Sequence, residues 1–413
     1  MSSLLESEIM KLKTTIILMA IATALGWQAG AQTYDTNNDV VEVFAGSGTS
    51  GLLNAQGTLA MFSGPEYVVA DTSSNLYVCD SGNGLIRKIT PDGTVSTFAS
   101  LLPPPPYNSF YYSGMAIDGN NTIWMPFSGY GSPGIYEIAS NGSATSLTYS
   151  GINQNSGICT DFGNNIYYTA GNQVFRISSQ GVLALFAGNT SSGSSDGNGI
   201  NALFSSPEAL TADEAGNIYV WDSGNHKIRR IDQSQNVTTI AGNGNNANVD
   251  GVGLNASFSS IYSMCADNLG NIYLACGSCI RKMDAQTNVV TLAGSFSQSS
   301  YANGAGALAR FNGAGGICLS QGILFVADNN NERIRQISFN PQPQQVSAAN
   351  LGLHSYAGVT INGLVGRTYQ IQSSADMSAW KTNATIFLTS SPYLWFDLNP
   401  MNGSKFYRAL LLP

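Results

Sequence analysis

The chain predicts an all-β protein: a six-bladed β-propeller closed by its own N-terminal strand, followed by a small β-sandwich. Three observations carry the prediction. Residues 207–242, PEALTADEAGNIYVWDSGNHKIRRIDQSQNVTTIAG, hold four short β-branched and aromatic runs separated by turn residues, the pattern of an antiparallel four-stranded sheet. Such a sheet has two apolar faces that it cannot bury alone, so the unit should recur. It does. The aspartate after its first strand returns as Asp71, Asp118, Asp161, Asp213 and Asp267, with Ser320 in a sixth copy, at steps of 47, 43, 52, 54 and 53 residues. Periods of that size belong to propeller blades. Finally, the sixth copy has no fourth strand after RIRQISF, and the missing strand stands at the other end of the chain as VVEVFAG, residues 40–46. Completing the last blade from the N-terminus closes the ring and leaves no open sheet edge.

Taken in chain order, the first element is a leader. Residues 10–32, MKLKTTIILMAIATALGWQAGAQ, run from two lysines through an apolar stretch to Ala29, Gly30 and Ala31, the layout of a secretory signal with cleavage before Gln32. The apolar run of residues 16–25 is shorter than the ~20 residues a spanning helix needs, so a membrane anchor is the lesser alternative. Residues 1–31 are therefore expected to be removed. The mature protein should be exported (extracellular, cell-surface or periplasmic) and monomeric, with no membrane span.

The propeller takes residues 32–339. Its second strands are NLYVCD, TIWM, NIYYT, NIYVWD, NIYLAC and ILFVAD, and its third strands LIRKI, GIYEI, QVFRI, KIRRI, CIRKM and RIRQI. The pattern of residues 207–231, with its Asp, Gly-Asn, Tyr and Ile-Arg positions, resembles the NHL repeat. The connecting segment SDGNGINALFSSP, residues 195–207, is similar to those joining NHL repeats in bacterial secreted proteins. Copies two and three depart from it, with MPFSGYGSPG and TAGNQ where the other copies have their Asp and Asn turn. The resemblance implies a six-bladed ring. It implies no single function, since such propellers serve as protein-, sugar- and RNA-binding surfaces and, less often, as lyases or hydrolases.

Composition narrows the choice. Charged residues are 10% of the chain and the net charge is -8, against roughly 25% charged residues in ordinary globular proteins. An acidic chain with no basic patch argues against a nucleic-acid partner. Of 17 Lys and Arg, ten lie in or beside third strands, Arg87, Arg229, Arg281 and Arg335 among them, as one pairing or solvated position per repeat. Cys159, Cys265 and Cys318 share one first-strand position and, with Cys79, should pack as small apolar side chains. Cys276 and Cys279 flank a two-residue turn in the fifth copy, at a separation compatible with a disulfide, a free pair being the alternative.

Catalytic sets are scarce. His226 and His354 are the chain's two histidines, too few for a multi-histidine zinc site. Asp80, Asp222 and Asp328 open hairpins, and Asp196 and Asp250 head Gly-rich loops, as turn caps do. No cofactor and no metal site is expected. The departures in copy two place Tyr107, Phe110, Tyr111, Tyr112, Phe127 and Tyr130 where the other copies have short polar turns. Tyr107, Tyr111, Tyr112, Phe127 and Tyr130 are the candidate binding group, the alternative being that they pack over neighbouring blades.

After a linker at residues 340–345, residues 346–413 show alternating strands near Val359, 369–373, 386–389, 394–397 and 406–411, a small β-sandwich pattern. The segment GRTYQIQSSADMSAW and the terminal FYRA resemble a C-terminal module of exported bacterial proteins, implying attachment or spacing. Two functions stay open: a secreted scaffold that binds an extracellular protein or glycan through its loops, or a lactonase-like hydrolase or lyase acting at the central channel.

Overall fold

The computed structural model describes residues 39–101, 110–129, 133–149, 152, 156–339, 357–361, 367–374, 378–387, 393–397 and 406–411. The expected leader and the linker at 340–345 lie outside them. The chain divides into two compact units, Met1–Asn340 and Pro341–Pro413. It is all-β, with helical structure in the described residues confined to short 3-10 turns. No helix among them is long and apolar enough to cross a membrane.

In the first unit the strands form six antiparallel sheets of four or five strands. The first runs through Pro65–Ala70, Leu76–Asp80, Leu85–Ile89 and Val95–Ser100. The last holds Ala314–Ser320, Ile323–Asp328, Arg333–Ser338 and, from the other end of the chain, Val40–Ala45, with the two-residue Gly304–Ala305 along its outer edge. That N-terminal strand lies antiparallel to Arg333–Ser338 with Val41 opposite Ile337 and Val43 opposite Arg335. It completes the last sheet as the sequence predicts.

The sheets meet face to face. Phe325, Ala327 and Ile334 of the last sheet share one core with Val68, Leu76 and Val78 of the first, and Val174 and Phe186 of the third share another with Leu210, Ile218 and Val220 of the fourth. The first strands touch in a cycle: Pro65–Ala70 to Ala116–Ile117, on to Ile158–Thr160, Pro207–Ala212, Ser263–Ala266 and Ala314–Ser320, and back to Pro65–Ala70. Close approach at this inner ring demands glycine. A Cβ on Gly157 would run into the Glu208 carbonyl, and one on Gly316 into the Tyr67 backbone.

Two polar devices recur and explain the repeat pattern. At the turn between first and second strands, Asp71 accepts from the Ser73 and Asn75 amides at 2.9 and 2.8 Å, from Asn75 Nδ2 at 2.8 Å and from the Tyr77 hydroxyl at 3.2 Å. Asp161, Asp213 and Asp267 do the same with Tyr167, Tyr219 and Tyr273. In the second sheet Trp124 Nε1 takes the tyrosine's place, donating to Asp118 at 3.1 Å. The repeating Asp and Tyr are thus one hydrogen-bonded turn.

The second device is a buried ion pair. Arg87, Arg229, Arg281 and Arg335 are fully buried. Arg229 donates to Asp222 at 2.7 Å, to Asp196 at 2.8 Å and to the carbonyls of Leu203 and Ser195 at 3.1 Å each, with its guanidinium 5.1 Å from the Phe204 ring centroid. Arg87 pairs with Asp80 and Arg335 with Asp328, both at 2.7 Å. Asp80, Asp222 and Asp328, expected as turn caps, do accept from Asn83, Asn225 and Asn331, and they are also the buried counter-ions of these arginines. In the fifth sheet Cys276 stands in place of that aspartate, and Arg281 turns to Asp250, reached from Nε at 3.0 Å and from a terminal nitrogen at 2.8 Å.

The second unit holds two small antiparallel sheets: Ala357–Ile361 with Tyr393–Asp397, and Thr368–Ser374 between Lys381–Phe387 and Phe406–Leu411. The strand expected at 386–389 begins earlier, at Lys381. Its first half is polar because it lies at the sheet's edge, paired on one side only.

Candidate functional site at the channel mouth

The six inner strands enclose a channel of about 210 Å³. Its wall is small, apolar and hydroxyl-bearing, including Val69, Ser113, Ile158, Thr211, Met264 and Cys318. The strand order gives its two ends different characters. One end carries the repeated Asp turns. At the other, the inner strands begin and the hairpins between second and third strands project, and here the copies differ from one another.

Glu66 and Glu208 stand at that second end, each following the proline that opens its strand, in sheets three positions apart in the cycle of six. Pro65 lies opposite Asp80 and Pro207 opposite Asp222, so each glutamate is held beside a hairpin serine. Ser223 Oγ lies 3.0 Å from Glu208 Oε1. Burial pushes the Glu66 carboxyl up to about 7, a rise partly offset by its hydrogen bond with Ser81. Tyr67 follows Glu66 into the channel wall. Its phenol is raised well above the ordinary range by burial and then by the charges of Glu66, Cys79 and Glu208, so both carboxylates act on one hydroxyl.

Three further residues complete the rim. Tyr262 is 57% exposed and lines the channel. Ser113 also lines it, and its hydroxyl is buried without a hydrogen-bond partner. A buried, unsatisfied hydroxyl facing a cavity is a place for a ligand or water oxygen. Tyr111 is 59% exposed and lies two residues before Ser113, on Phe110–Tyr112, which pairs with the extended end of Ile123–Gly129. It therefore lies at the same end of the ring.

The aromatic group expected from sequence divides. Tyr107 and Tyr130 lie outside the described residues. Tyr112 is buried, with its hydroxyl 3.4 Å from the Leu101 carbonyl, and Phe127 is buried with its ring centroid 4.4 Å from that of Tyr136. Both are built into the core that the second sheet shares with the first, beside Val69, Tyr77 and Ile86, which is the alternative of packing over a neighbouring blade, and Tyr111 is exposed. Cys276 and Cys279, expected to be bridged, carry free thiols. Cys79, Cys159 and Cys318 are buried as expected, and Cys265 is half-buried. Among the described residues no group of three or more His, Cys, Asp or Glu side chains could hold a metal ion. Sequence reasoning missed Glu66, Glu208 and Tyr67. The signal was there, a Pro-Glu dipeptide at the same place in copies one and four.

No family profile matches the chain. It is 34% identical over 106 residues to NHL repeat-containing protein 2 of Bos taurus, a match covering 24% of this chain and 15% of that protein. The human protein of the same name is 35% identical over 106 residues, with the same coverage. The matched segment thus spans less than a sixth of those relatives' length. Among solved structures, a Bacteroides thetaiotaomicron protein of unknown function superposes with a TM-score of 0.58 at 21% identity, over 73% of this chain and 76% of the other. The chain has a propeller-like fold with NHL-type repeats. An auxiliary nutrient binding protein from the same organism gives 0.57 at 22% identity, over 73% and 76%. One from Bacteroides ovatus gives 0.57 at 17%, over 73% and 77%. At these identities the likeness concerns the fold. In this NHL-type propeller the mouth residues are the part of the ring that the repeat does not dictate.

Proposed function

We propose that this chain is an exported binding scaffold that holds an extracellular glycan, free or carried on a protein, at the channel mouth bounded by Glu66, Tyr67, Tyr111, Ser113, Glu208 and Tyr262. The reading takes residues 1–31 as a removed leader, 32–339 as a six-bladed ring and 346–413 as a β-sandwich used for attachment or spacing. The observation that carries it is the Ser113 hydroxyl, buried without a partner in the channel wall with the exposed Tyr262 and with Tyr67, on whose phenol the charges of both Glu66 and Glu208 act. Carboxylates accept from sugar hydroxyls, and tyrosines offer flat apolar faces with a polar edge. The fold shared with proteins described as nutrient binding agrees with it.

The test is calorimetric titration of the mature chain with soluble oligosaccharides drawn from a glycan array, repeated with Tyr111→Ser and with the Glu66→Gln, Glu208→Gln pair. Affinity should fall at least tenfold in each variant. Unchanged affinity in both would reject this mouth as the site, and no binding on the array would reject the glycan.

A second reading is favoured by one observation. A carboxyl pushed by burial up to about 7 and bonded to a hairpin serine is suited to proton transfer, so Glu66 would be the general acid or base of a lactone- or ester-cleaving enzyme. Turnover of such a substrate, lost in Glu66→Gln, would establish it against the scaffold.

A further inference from the structure

The fifth sheet departs from the other repeats at one point. In the first, fourth and last sheets the hairpin between second and third strands opens with the aspartate that pairs with the buried arginine and continues through a short 3-10 turn, Ser81–Asn83, Ser223–Asn225 or Asn329–Asn331. In the fifth sheet the aspartate is Cys276, the hairpin is two residues shorter, and Cys279 opens the third strand, Cys279–Met283. Arg281 is satisfied by Asp250 instead, so the cysteine is not needed as a counter-ion.

The geometry brings the two cysteines together and fixes them. The Cys276 amide donates to the Cys279 carbonyl at 2.9 Å across the turn, and the Cys276 thiol donates to the Leu274 carbonyl at 3.8 Å. Residues so opposed across a tight hairpin have Cα atoms about 5.5 Å apart, inside the range a disulfide spans. The turn is anchored from outside. Gly277 and Ala314 exchange backbone hydrogen bonds, tying the hairpin to the inner strand of the last sheet, and Gly277 packs against Tyr262 at the channel rim. Cys276 is half-buried as a residue whereas Cys279 is fully buried. The contact between them and the nearby Arg281 guanidinium favour the Cys276 thiolate, and the same contact holds the Cys279 proton on.

We propose that Cys276 and Cys279 are a reversible dithiol–disulfide couple that exchanges with low-molecular-weight thiols and disulfides at the channel mouth. In the oxidising direction the Cys276 thiolate attacks one sulfur of a disulfide RSSR, forming a mixed disulfide and expelling RS⁻, which takes a proton. Cys279 loses its proton to solvent and displaces the second RS⁻. Two protein thiols are thereby oxidised to one bridge as one RSSR is reduced to two RSH.

The full chain is equilibrated in buffers of graded reduced-to-oxidised glutathione ratio, quenched with acid, alkylated and analysed by mass spectrometry. Cys276 and Cys279 should pass together from alkylated to protected in one reversible two-electron transition, while Cys79, Cys159 and Cys318 do not change. The bridged form should melt about 3 °C higher, as closing a four-residue loop implies in the chain-entropy model. Cys276→Ser, and Cys276→Asp, which introduces the residue of the first, fourth and last sheets, should fold and show no such transition. Both cysteines remaining alkylated at the most oxidising ratio would overturn the proposal. So would a bridge that excess reduced glutathione cannot open in the folded protein.

Discussion

Replacing Arg229 by Met tests the repeat's internal logic most directly. Its guanidinium is fully buried, bonded to Asp222, Asp196 and two carbonyls, and stacked on Phe204. Methionine keeps much of the aliphatic packing and removes the charge. Asp222 is then left with the Ser205 amide and Asn225 Nδ2, at 2.7 and 2.8 Å, and no cation. Burial already pushes its carboxyl above the usual range with the arginine present. Breaking one side of such a pair costs ~3–5 kcal/mol. With ~2.1 cal/mol/K of unfolding entropy per residue over roughly 300 residues, ~4 kcal/mol lowers the melting temperature by ~6 °C. Adding Asp222→Asn removes the stranded charge and should recover a third to a half of that loss, so the double mutant is not the sum of the singles. Thermal melts and urea titrations of the four proteins at pH 7 measure it. A loss under 1 kcal/mol for Arg229→Met, or strict additivity, would refute the claim that these arginines act as buried, paired units.

Two further outcomes follow from the structure. The Glu66 carboxyl has a raised proton affinity in the folded state, so its stabilising contribution is complete below the unfolded value and is lost as pH rises through about 7. At ~1.36 kcal/mol per pH unit, the wild type should lose ~3 kcal/mol relative to Glu66→Gln between pH 4 and 8, and parallel stability–pH curves would contradict this. Deleting residues 32–46 removes the strand that lies between Arg333–Ser338 and the short Gly304–Ala305 in the last sheet, with its fully buried Val41 and Ala45. The truncated chain should aggregate or melt at least 5 °C lower, and an unchanged melting curve would show that the ring does not depend on this strand.

Strand positions were legible because a propeller writes them repeatedly: an ambiguous apolar run in one copy is resolved by its counterparts in the others. The N-terminal strand was legible for the same reason, as a piece missing at one end and surplus at the other. The arginines were not. On a strand of alternating residues Arg87 and Arg229 look like solvent-facing positions. They are buried because the connecting segment folds back over them, presenting the Leu53 and Ser195 carbonyls to their terminal nitrogens. That segment carries no periodic pattern. A clue lay in the recurrence, in four repeats, of a phenylalanine that each arginine stacks on, Phe62, Phe204, Phe258 and Phe311. Tyr112 and Phe127 follow the alternative reading: a departure from the repeat reads as surface, but both side chains pack into the core between the first and second sheets, with Val69, Tyr77 and Ile86.

The two ends of the ring are under different constraints, and this favours the mouth as the working surface. At the end bearing the first-to-second-strand turns, the same Asp hydrogen-bond set recurs in five sheets, at Asp71, Asp118, Asp161, Asp213 and Asp267. A side chain there is committed to holding its own turn. At the opposite end the copies diverge. The second sheet extends its hairpin under Tyr111, the third shortens its own to Gly171 and Asn172, the fifth exchanges its aspartate for a cysteine pair, and only the first and fourth carry a glutamate after the opening proline. Each change breaks the repeat without breaking the ring, because the neighbouring sheets' apolar faces carry the packing. Residues released from a structural role are free to meet a ligand. The unpartnered Ser113 hydroxyl gives this physical content: a hydroxyl left unsatisfied in the apoprotein has free energy to recover when a ligand atom reaches it. Ser113→Ala should therefore leave folding stability unchanged or slightly raised while weakening binding of a bound glycan several-fold. A variant that lost stability and kept its affinity would place that hydroxyl in the scaffold and move the site elsewhere.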